Sequence, residues 1–294
     1  MSVSIVTDST SYLPQEDREK YNITVVPLSV ILDGVTYVEG TPFAEGFFAA
    51  LAASKAFPTS SQPSISDFVD AFTAPVARGD EVVGVFLSSE MSGTYSTALL
   101  ARDMVLAEHP GAVIEIVDSR SNCMELGYAV LAAAEAVAGG ADAAGAADAA
   151  KRMVARTRFL FVPDTLEYLR RGGRMGGAQA LLGTLLQIRP ILTVADGRTQ
   201  VFAKVRTKRK ALTEMVAAFS RDIEAKGFGG VAVHHIVDEA EGAELAALVE
   251  AVVSVPVRII PIGPTIGMHV GPGTAALVYH TLEEMNKSSV GSGQ

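Results

Sequence analysis

Short apolar runs alternate with helix-like patterns along most of the chain, and this alternation constrains the fold more than any other feature. The runs Val3–Thr7, Glu81–Leu87 and Val113–Asp118 have the length of strands, and helical periodicity follows each of them. Such repeats favour parallel strand pairing with helices on the faces of the sheet. The sequence therefore predicts an α/β fold built on a largely parallel sheet.

The length of the chain predicts more than one domain. Its 294 residues are about twice the length of a typical domain, and a second series of strand and helix patterns begins at Phe159. We predict two α/β domains, residues 1–156 and 157–286, each a mostly parallel sheet with flanking helices. Residues 287–294 are rich in Ser and Gly and are predicted to form a flexible tail.

Composition argues against several classes of protein. A single cysteine, Cys123, excludes a disulfide framework and a Cys-rich zinc site, and no spacing resembles a metal site. The net charge of −9 argues against a general nucleic-acid-binding surface. The sequence has no signal-peptide pattern and no apolar run long enough to span a bilayer. We therefore expect a cytoplasmic protein with no metal and no nucleic-acid partner.

The segment Ser92-Gly93-Thr94 follows a predicted strand and begins a predicted helix. A helix N-terminus presents unpaired N–H groups and partial positive charge, so it can hold an anion. Gly93 would let the anion approach the backbone, and the two hydroxyls would add donors. The alternative is that Ser92 only caps its own helix.

A second hydroxyl-rich segment, Thr59 to Ser64, is interpreted as a loop whose hydroxyl donors suit a carboxylate. The alternative is a solvated loop whose Ser64 caps the helix predicted at Ile65–Ala77, with Asp67 completing a capping box.

His269 lies among glycines and prolines, in a segment interpreted as a sharply turning loop. Its imidazole could donate a hydrogen bond to an acid, or it could be a structural histidine.

Two basic segments stand out in this acidic chain, one containing Arg174 and the other Arg206. They are candidates for contact with a phosphate or an acidic partner. The alternatives are ordinary helix-terminal charge and, for the cluster around Arg206, a DNA-associated role that the net charge disfavours.

Six sets of short motifs, taken together in chain order, resemble the DegV family across nearly the whole chain. They are Val6-Thr7-Asp8-Ser9-Thr10, Ser61-Gln62-Pro63-Ser64, Ser88-Ser89 with Ser92-Gly93-Thr94-Tyr95, Val117-Asp118-Ser119-Arg120, Leu166-Glu167-Tyr168-Leu169 with Gly172-Gly173-Arg174, and Ile266-Gly267 with His269-Val270-Gly271-Pro272-Gly273.

The resemblance implies a fatty-acid-binding protein with the lipid buried between two α/β domains. Members of this family serve as the fatty-acid-binding subunit of bacterial fatty acid kinase, in which a separate ATP-dependent kinase subunit forms an acyl phosphate for phospholipid metabolism. The protein would then be non-catalytic, and a long-chain fatty acid would be its ligand, with no cofactor. Transient contact with a membrane is compatible with this role. The implied carboxylate-binding residues are Ser60, Ser61, Ser92, Gly93, Thr94 and His269, and the implied partner or phosphate contacts are Arg174 and Arg206.

One alternative from a different class stays open. An enzyme acting on a small carboxylated or phosphorylated substrate could use Ser92 and His269 as a catalytic pair, although no acid partner stands out and no nucleophile-elbow motif is present.

Overall fold

The structure of the chain, a computed structural model, describes residues 2–181 and 188–285. The predicted tail, 287–294, lies outside the described residues. Within them the chain forms two compact units: one of residues 2–45 and 60–154, and one of residues 46–59, 155–181 and 188–285. This division differs from the contiguous domains expected from the sequence, because residues 46–59 belong with the second unit. The boundary near residue 156 stays a prediction.

The elements are numbered along the chain. The strands are β1 Val3–Asp8, β2 Thr24–Val26, β3 Ser29–Leu32, β4 Val35–Val38, β5 Thr59–Ser61, β6 Glu81–Phe86, β7 Ile114–Asp118, β8 Thr157–Val162, β9 Arg189–Ala195, β10 Arg198–Val205, β11 Phe228–His235, β12 Arg258–Pro261 and β13 Ala275–Thr281. The helices are α1 Gln15–Lys20, α2 Phe47–Ala53, α3 Ile65–Ala77, α4 Thr94–Glu108, α5 Cys123–Ala138, α6 Ala143–Val154, α7 Glu167–Arg171, α8 Lys208–Lys226, α9 Glu239–Val253 and α10 Pro264–Val270.

The main sheet of the first unit is parallel, in the order β2-β1-β6-β7. The parallel α/β prediction is confirmed for this unit. Because its strands run the same way, β1, β6 and β7 end at one edge, at Asp8, Phe86 and Asp118. A separate three-stranded sheet has the order β4-β3-β5, and its β3–β4 pair is an antiparallel hairpin.

Aromatic side chains fill the core between this parallel sheet and α3. Phe68 contacts Phe86 edge to face, with ring centroids 5.2 Å apart, and Phe72 packs beside both. Helix α3 begins at the predicted capping box, in which the Asp67 N–H donates to Ser64 Oγ (3.2 Å) and the Ser64 N–H donates to Asp67 Oδ2 (2.8 Å). The capping box fixes where α3 starts, and the aromatic side chains fix the helix against the sheet.

The sheet of the second unit is mostly antiparallel, so the prediction of a mostly parallel second sheet is wrong. Its order is β10-β9-β8-β13-β11-β12, and β11 and β12 form the one parallel pair among the described strands of this sheet. The physical reason lies in the connections. Asp196 and Gly197, both with positive φ, join β9 to β10 in a two-residue hairpin, whereas helix α9 carries the crossover from β11 to β12.

A buried ionic network lies in the core of the second unit. Arg158 is 6 % exposed, and its Nε lies 2.9 Å from Asp222 Oδ2. The hydroxyl of Tyr279 donates to the same carboxylate oxygen at 2.6 Å. Burial, followed by the charge of Asp222, raises the pKa of Tyr279 well above its usual value. The network therefore keeps a neutral phenol beside a paired Arg and Asp.

Among the helices of the described part of the chain, none combines the length and apolar character needed to cross a bilayer.

Candidate carboxylate-binding site

The carboxylate of Asp8 joins the first predicted motif to Leu87, the residue before Ser88-Ser89, at the carboxyl edge of the parallel sheet. Its Oδ1 accepts the backbone N–H (2.9 Å) and the hydroxyl (2.5 Å) of Thr10, and its Oδ2 accepts the N–H of Leu87 (2.8 Å). Asp8 is fully buried, and this burial raises its carboxyl pKa against the opposing effect of the three hydrogen bonds. Asp8 thus ties the end of β1 to the segment after β6.

Helix α4 begins beside this junction. Its N-cap is Gly93 and its first helical residue is Thr94, with no acidic side chain in the first turn. Ser92 Oγ accepts the Thr94 N–H at 3.2 Å and lies 2.8 Å from Thr94 Oγ1. Ser92 therefore lies one residue before the N-cap, and its hydroxyl accepts a backbone N–H of the first turn, as a capping side chain does. Two hydroxyls and a glycine surround the positive end of the helix.

Gln62 connects the second hydroxyl-rich segment to this helix. Its Nε2 donates to Thr97 Oγ1 at 2.6 Å, one turn into α4. A Cβ on Gly93 would lie 2.2 Å from Gln62 Oε1, so this close approach requires glycine at position 93. The structure thus brings the Ser61-Gln62-Pro63-Ser64 and Ser92-Gly93-Thr94-Tyr95 motifs together. The importance of Gln62 was missed from the sequence, although its motif was recognised.

Ser60 and Ser61 lie on a strand rather than in the predicted loop, because Thr59–Ser61 forms β5 at the edge of the three-stranded sheet. Consecutive strand residues point to opposite faces of a sheet, so the two hydroxyls cannot face the same way. Ser60 is half-buried, and Ser61 is exposed with its Oγ donating to the carbonyl of Gln62 at 3.2 Å. Ser60 is therefore the better placed of the two to face a buried ligand.

His269 lies on helix α10 in the second unit, so the prediction of a sharply turning loop there is wrong. The helix has Pro264 at its start and Gly271 as its C-cap, with φ +88°. Burial, together with the nearby charge of Arg174, lowers the pKa of His269 to about 4. The imidazole is neutral at physiological pH and offers one donor and one acceptor.

The two candidate arginines lie on different elements of the second unit. Arg174 is exposed, follows Gly173 (φ +72°), and donates from Nη1 to the Gly172 carbonyl at 2.6 Å. Its effect on the pKa of His269 places these two predicted residues in one neighbourhood. Arg206 is exposed between β10 and the Thr207 N-cap of α8.

Further buried carboxylates in the first unit were missed from the sequence. Glu39, 4 % exposed, accepts hydrogen bonds from Ser9 Oγ (3.1 Å) and Tyr12 Oη (2.7 Å), and the Ser121 hydroxyl donates to buried Glu125. Burial, with the charges of both glutamates, raises the thiol pKa of Cys123 well above its usual value. Hydrogen bonds therefore already occupy these carboxylates.

Across residues 2–181 and 188–285, no group of three or more His, Cys, Asp or Glu is placed to hold a metal ion.

A parallel sheet with hydroxyl groups beside a helix N-terminus at its carboxyl edge is typical of α/β proteins that bind small anionic ligands. The model of the DegV family of uncharacterised proteins matches residues 2–282. A DegV domain-containing protein of Clostridium acetobutylicum is 47% identical over 285 residues, which are 97% of this chain and 100% of that protein. The chain belongs to the DegV family.

Solved structures agree in fold. A DegV family protein from Thermus thermophilus, described as fatty-acid-binding, has a TM-score of 0.83 and 34% identity, and the match covers 96% of this chain and 100% of that one. A stearic-acid-binding protein from Eubacterium ventriosum has a TM-score of 0.87 and 27% identity, with 96% and 99% coverage.

Proposed function

We propose that this protein binds a long-chain fatty acid by its carboxylate and presents the acid to an ATP-dependent fatty acid kinase. In this proposal the protein itself is non-catalytic, and the lipid is its ligand. The proposed carboxylate-binding residues are Ser60, Ser92, Gly93, Thr94 and His269, whereas Ser61, exposed on the other face of β5, is not expected to bind the carboxylate.

The arrangement at the start of α4 is the observation that carries the proposal. A carboxylate loses its hydration when it is buried, so it needs several hydrogen-bond donors in return. The hydroxyls of Ser92 and Thr94 lie at a helix N-terminus that has no acidic residue in its first turn, and Gly93 between them is exposed. The same features would favour any small anion, so the choice of a fatty acid rests on the relatives.

The relatives support an acyl ligand. The Thermus thermophilus protein is described as fatty-acid-binding, and the Eubacterium ventriosum protein as stearic-acid-binding. An acyl chain of about 14 methylenes, at about 0.8 kcal/mol each, would contribute about 11 kcal/mol before the costs of association. The tail would then supply most of the affinity, while the polar residues fix the position of the carboxylate.

A neutral His269 fits a hydrogen-bonding role in this proposal. With its pKa lowered to about 4, the imidazole would donate one N–H to the carboxylate rather than form an ion pair. The carboxylate would keep its negative charge, which the helix N-terminus favours.

Native mass spectrometry of protein purified from a bacterial host tests the binding proposal directly. The expected result is a co-purifying mass equal to that of a long-chain fatty acid, released on denaturation. A ligand-free mass, together with no binding of added palmitate or oleate, would contradict the proposal. Covalent labelling of Ser92 by a fluorophosphonate would instead favour the alternative of an enzyme with a serine nucleophile.

The presentation of the lipid to a kinase is tested separately through Arg174. This side chain is exposed and adjacent to His269, so we expect Arg174→Ala to retain fatty acid but to lower acyl phosphate formation with the cognate kinase by about tenfold or more. Arg152→Ala, at an exposed position on α6, is the matched control and should change neither property. Loss of the lipid from Arg174→Ala would contradict this division of roles. Arg206, the cytoplasmic location and transient membrane contact stay predictions.

A further inference from the structure

The C-terminus of α7 lies directly against the imidazole of His269. Gly172 is the C-cap of α7, and a Cβ at this position would lie 2.4 Å from His269 Nδ1. Real Cβ atoms are not found this close to another atom, so an alanine at position 172 would force the ring to move. The atom that would be displaced is a ring nitrogen, which is the polar part of the side chain.

Tyr168, one turn earlier on α7, contacts the chain just after His269. Gly271 has a φ of +88°, and a Cβ there would lie 2.3 Å from Cδ2 of the Tyr168 ring. The backbone carbonyl of Tyr168 accepts the N–H of Gly172 at 2.8 Å. Helix α7 therefore contacts the His269 region twice, once at the imidazole through Gly172 and once at the following backbone through Tyr168.

Two aromatic residues of the segment 46–59 pack against α7 and α10. Phe57 packs on Tyr168 with ring centroids 6.2 Å apart, and the guanidinium of Arg171 lies 4.3 Å from the Phe57 ring centroid. On α10 itself, a Cβ at Gly267 would lie 2.5 Å from the ring of Phe48. The backbone on both sides of His269 is thus packed against an aromatic ring.

We propose that Tyr168 and Gly172 are positioning residues that fix the orientation of the His269 imidazole toward the ligand carboxylate. For its effect on binding, this inference rests on the proposed function. A neutral imidazole has one donor and one acceptor nitrogen, so its value as a ligand depends on which edge it presents. Held rigidly, the ring loses little conformational freedom when the ligand binds.

A double-mutant cycle on fatty-acid affinity tests the inference. Gly172→Ala and His269→Ala should each weaken the binding of oleate by about tenfold or more, because each removes or misaligns a hydrogen bond to a charged group. In the His269→Ala background, Gly172→Ala should have less than about a twofold effect, because the displaced ring is absent. Gly111→Ala is the control, at an exposed glycine with no atom within 4 Å of its would-be Cβ. Equal effects of Gly172→Ala in both backgrounds would overturn the inference.

Proton NMR titration of the lipid-free protein gives a readout that does not depend on binding. The His269 resonance, assigned by its loss in His269→Gln, should titrate near 4 in the wild-type protein and closer to 6.5 in Gly172→Ala and Tyr168→Ala. Tyr168→Phe keeps the aromatic ring, so His269 in this variant should titrate as it does in the wild-type protein. If Gly172→Ala does not fold, the two Tyr168 variants decide the question. A wild-type titration in the folded Gly172→Ala or Tyr168→Ala protein would overturn the inference, whereas absence of fatty-acid binding by the wild-type protein would overturn only the proposed function.

Discussion

At the scale of single residues, the proposed function rests on hydroxyl groups at the start of α4. Ser92 and Thr94 place two oxygens 2.8 Å apart at the start of α4, and Gln62 fixes the adjoining segment against Gly93. The residue types were evident in the sequence, because Ser-Gly-Thr before a helix predicts an anion site. The contact of Gln62 with α4 was not evident in the sequence, because Gln62 and its hydrogen-bond partner Thr97 are 35 residues apart in the chain.

Ser60 and Ser61 provide a prediction at this scale. Because consecutive residues of β5 point to opposite faces, removal of the half-buried hydroxyl should matter and removal of the exposed one should not. We expect Ser60→Ala to weaken fatty-acid binding by about three- to tenfold, which is the value of one hydrogen bond, and Ser61→Ala to leave it unchanged. Isothermal titration with oleate measures both variants. A larger loss for Ser61→Ala would show that β5 presents its other face to the ligand.

At the scale of helices and strands, the sequence predicted most elements because each carries its own pattern. Helix α3 begins and ends at the predicted residues, since the Ser64 capping box is a local signal. Strand β5 was missed because Thr59–Ser61 has no apolar residue and is a strand only through pairing in its sheet. Helix α10 was missed because its glycines indicate a loop, although proline at the start and glycine at the end are also helix-boundary signals.

In the second sheet, too, a local signal specifies the direction of some strands, whereas pairing between distant strands has no local signal. The Asp196-Gly197 turn joins β9 to β10, and a two-residue hairpin requires an antiparallel pair, which the prediction of a mostly parallel second sheet did not take into account. The β8–β13 pairing joins strands that are distant in the chain, so no local pattern could have specified it.

The junction between β1 and the segment after β6 predicts a stability effect. Asp8→Asn keeps the shape of the side chain, but an amide nitrogen cannot accept a hydrogen bond, so either the Leu87 N–H or the Thr10 donors lose their acceptor. We expect a loss of about 1–3 kcal/mol in the free energy of unfolding. Urea denaturation followed by circular dichroism measures it, with Asp70→Asn at an exposed position of α3 as the matched control. Equal midpoints for the two variants would contradict this role of Asp8.

At the scale of the whole molecule, buried histidines predict how stability depends on pH. Burial lowers the pKa of His234, His269 and His280 from 6.5 to about 4 in each case. Between these values the unfolded chain binds more protons than the folded one, so these groups lower stability as pH falls from about 6.5 toward 4. The carboxyl pKa values of Asp8 and Glu241 are raised in the folded protein. Above the ordinary pKa of each carboxyl group, these two residues therefore raise stability as pH falls.

A comparison of variants isolates one histidine from these opposing groups. His280→Gln should reduce the slope of unfolding free energy against pH, between about pH 5 and 6, by up to about 1.4 kcal/mol per pH unit. Denaturant unfolding of lipid-free protein at several pH values in this window measures the slope. Parallel curves for the wild-type and variant proteins would show that His280 titrates alike in the folded and unfolded states.

The central claim is that hydroxyls at the N-terminus of α4 hold the carboxylate of a fatty acid, and one affinity comparison tests it most directly. Ser92→Ala removes a proposed ligand, whereas Ser96→Ala removes an exposed hydroxyl from the first turn of the same helix. In isothermal titration with oleate, we expect Ser92→Ala to bind about tenfold more weakly than the wild-type protein, and Ser96→Ala to bind like the wild-type protein. Equal affinities for Ser92→Ala and Ser96→Ala, or no binding by the wild-type protein, would contradict the claim.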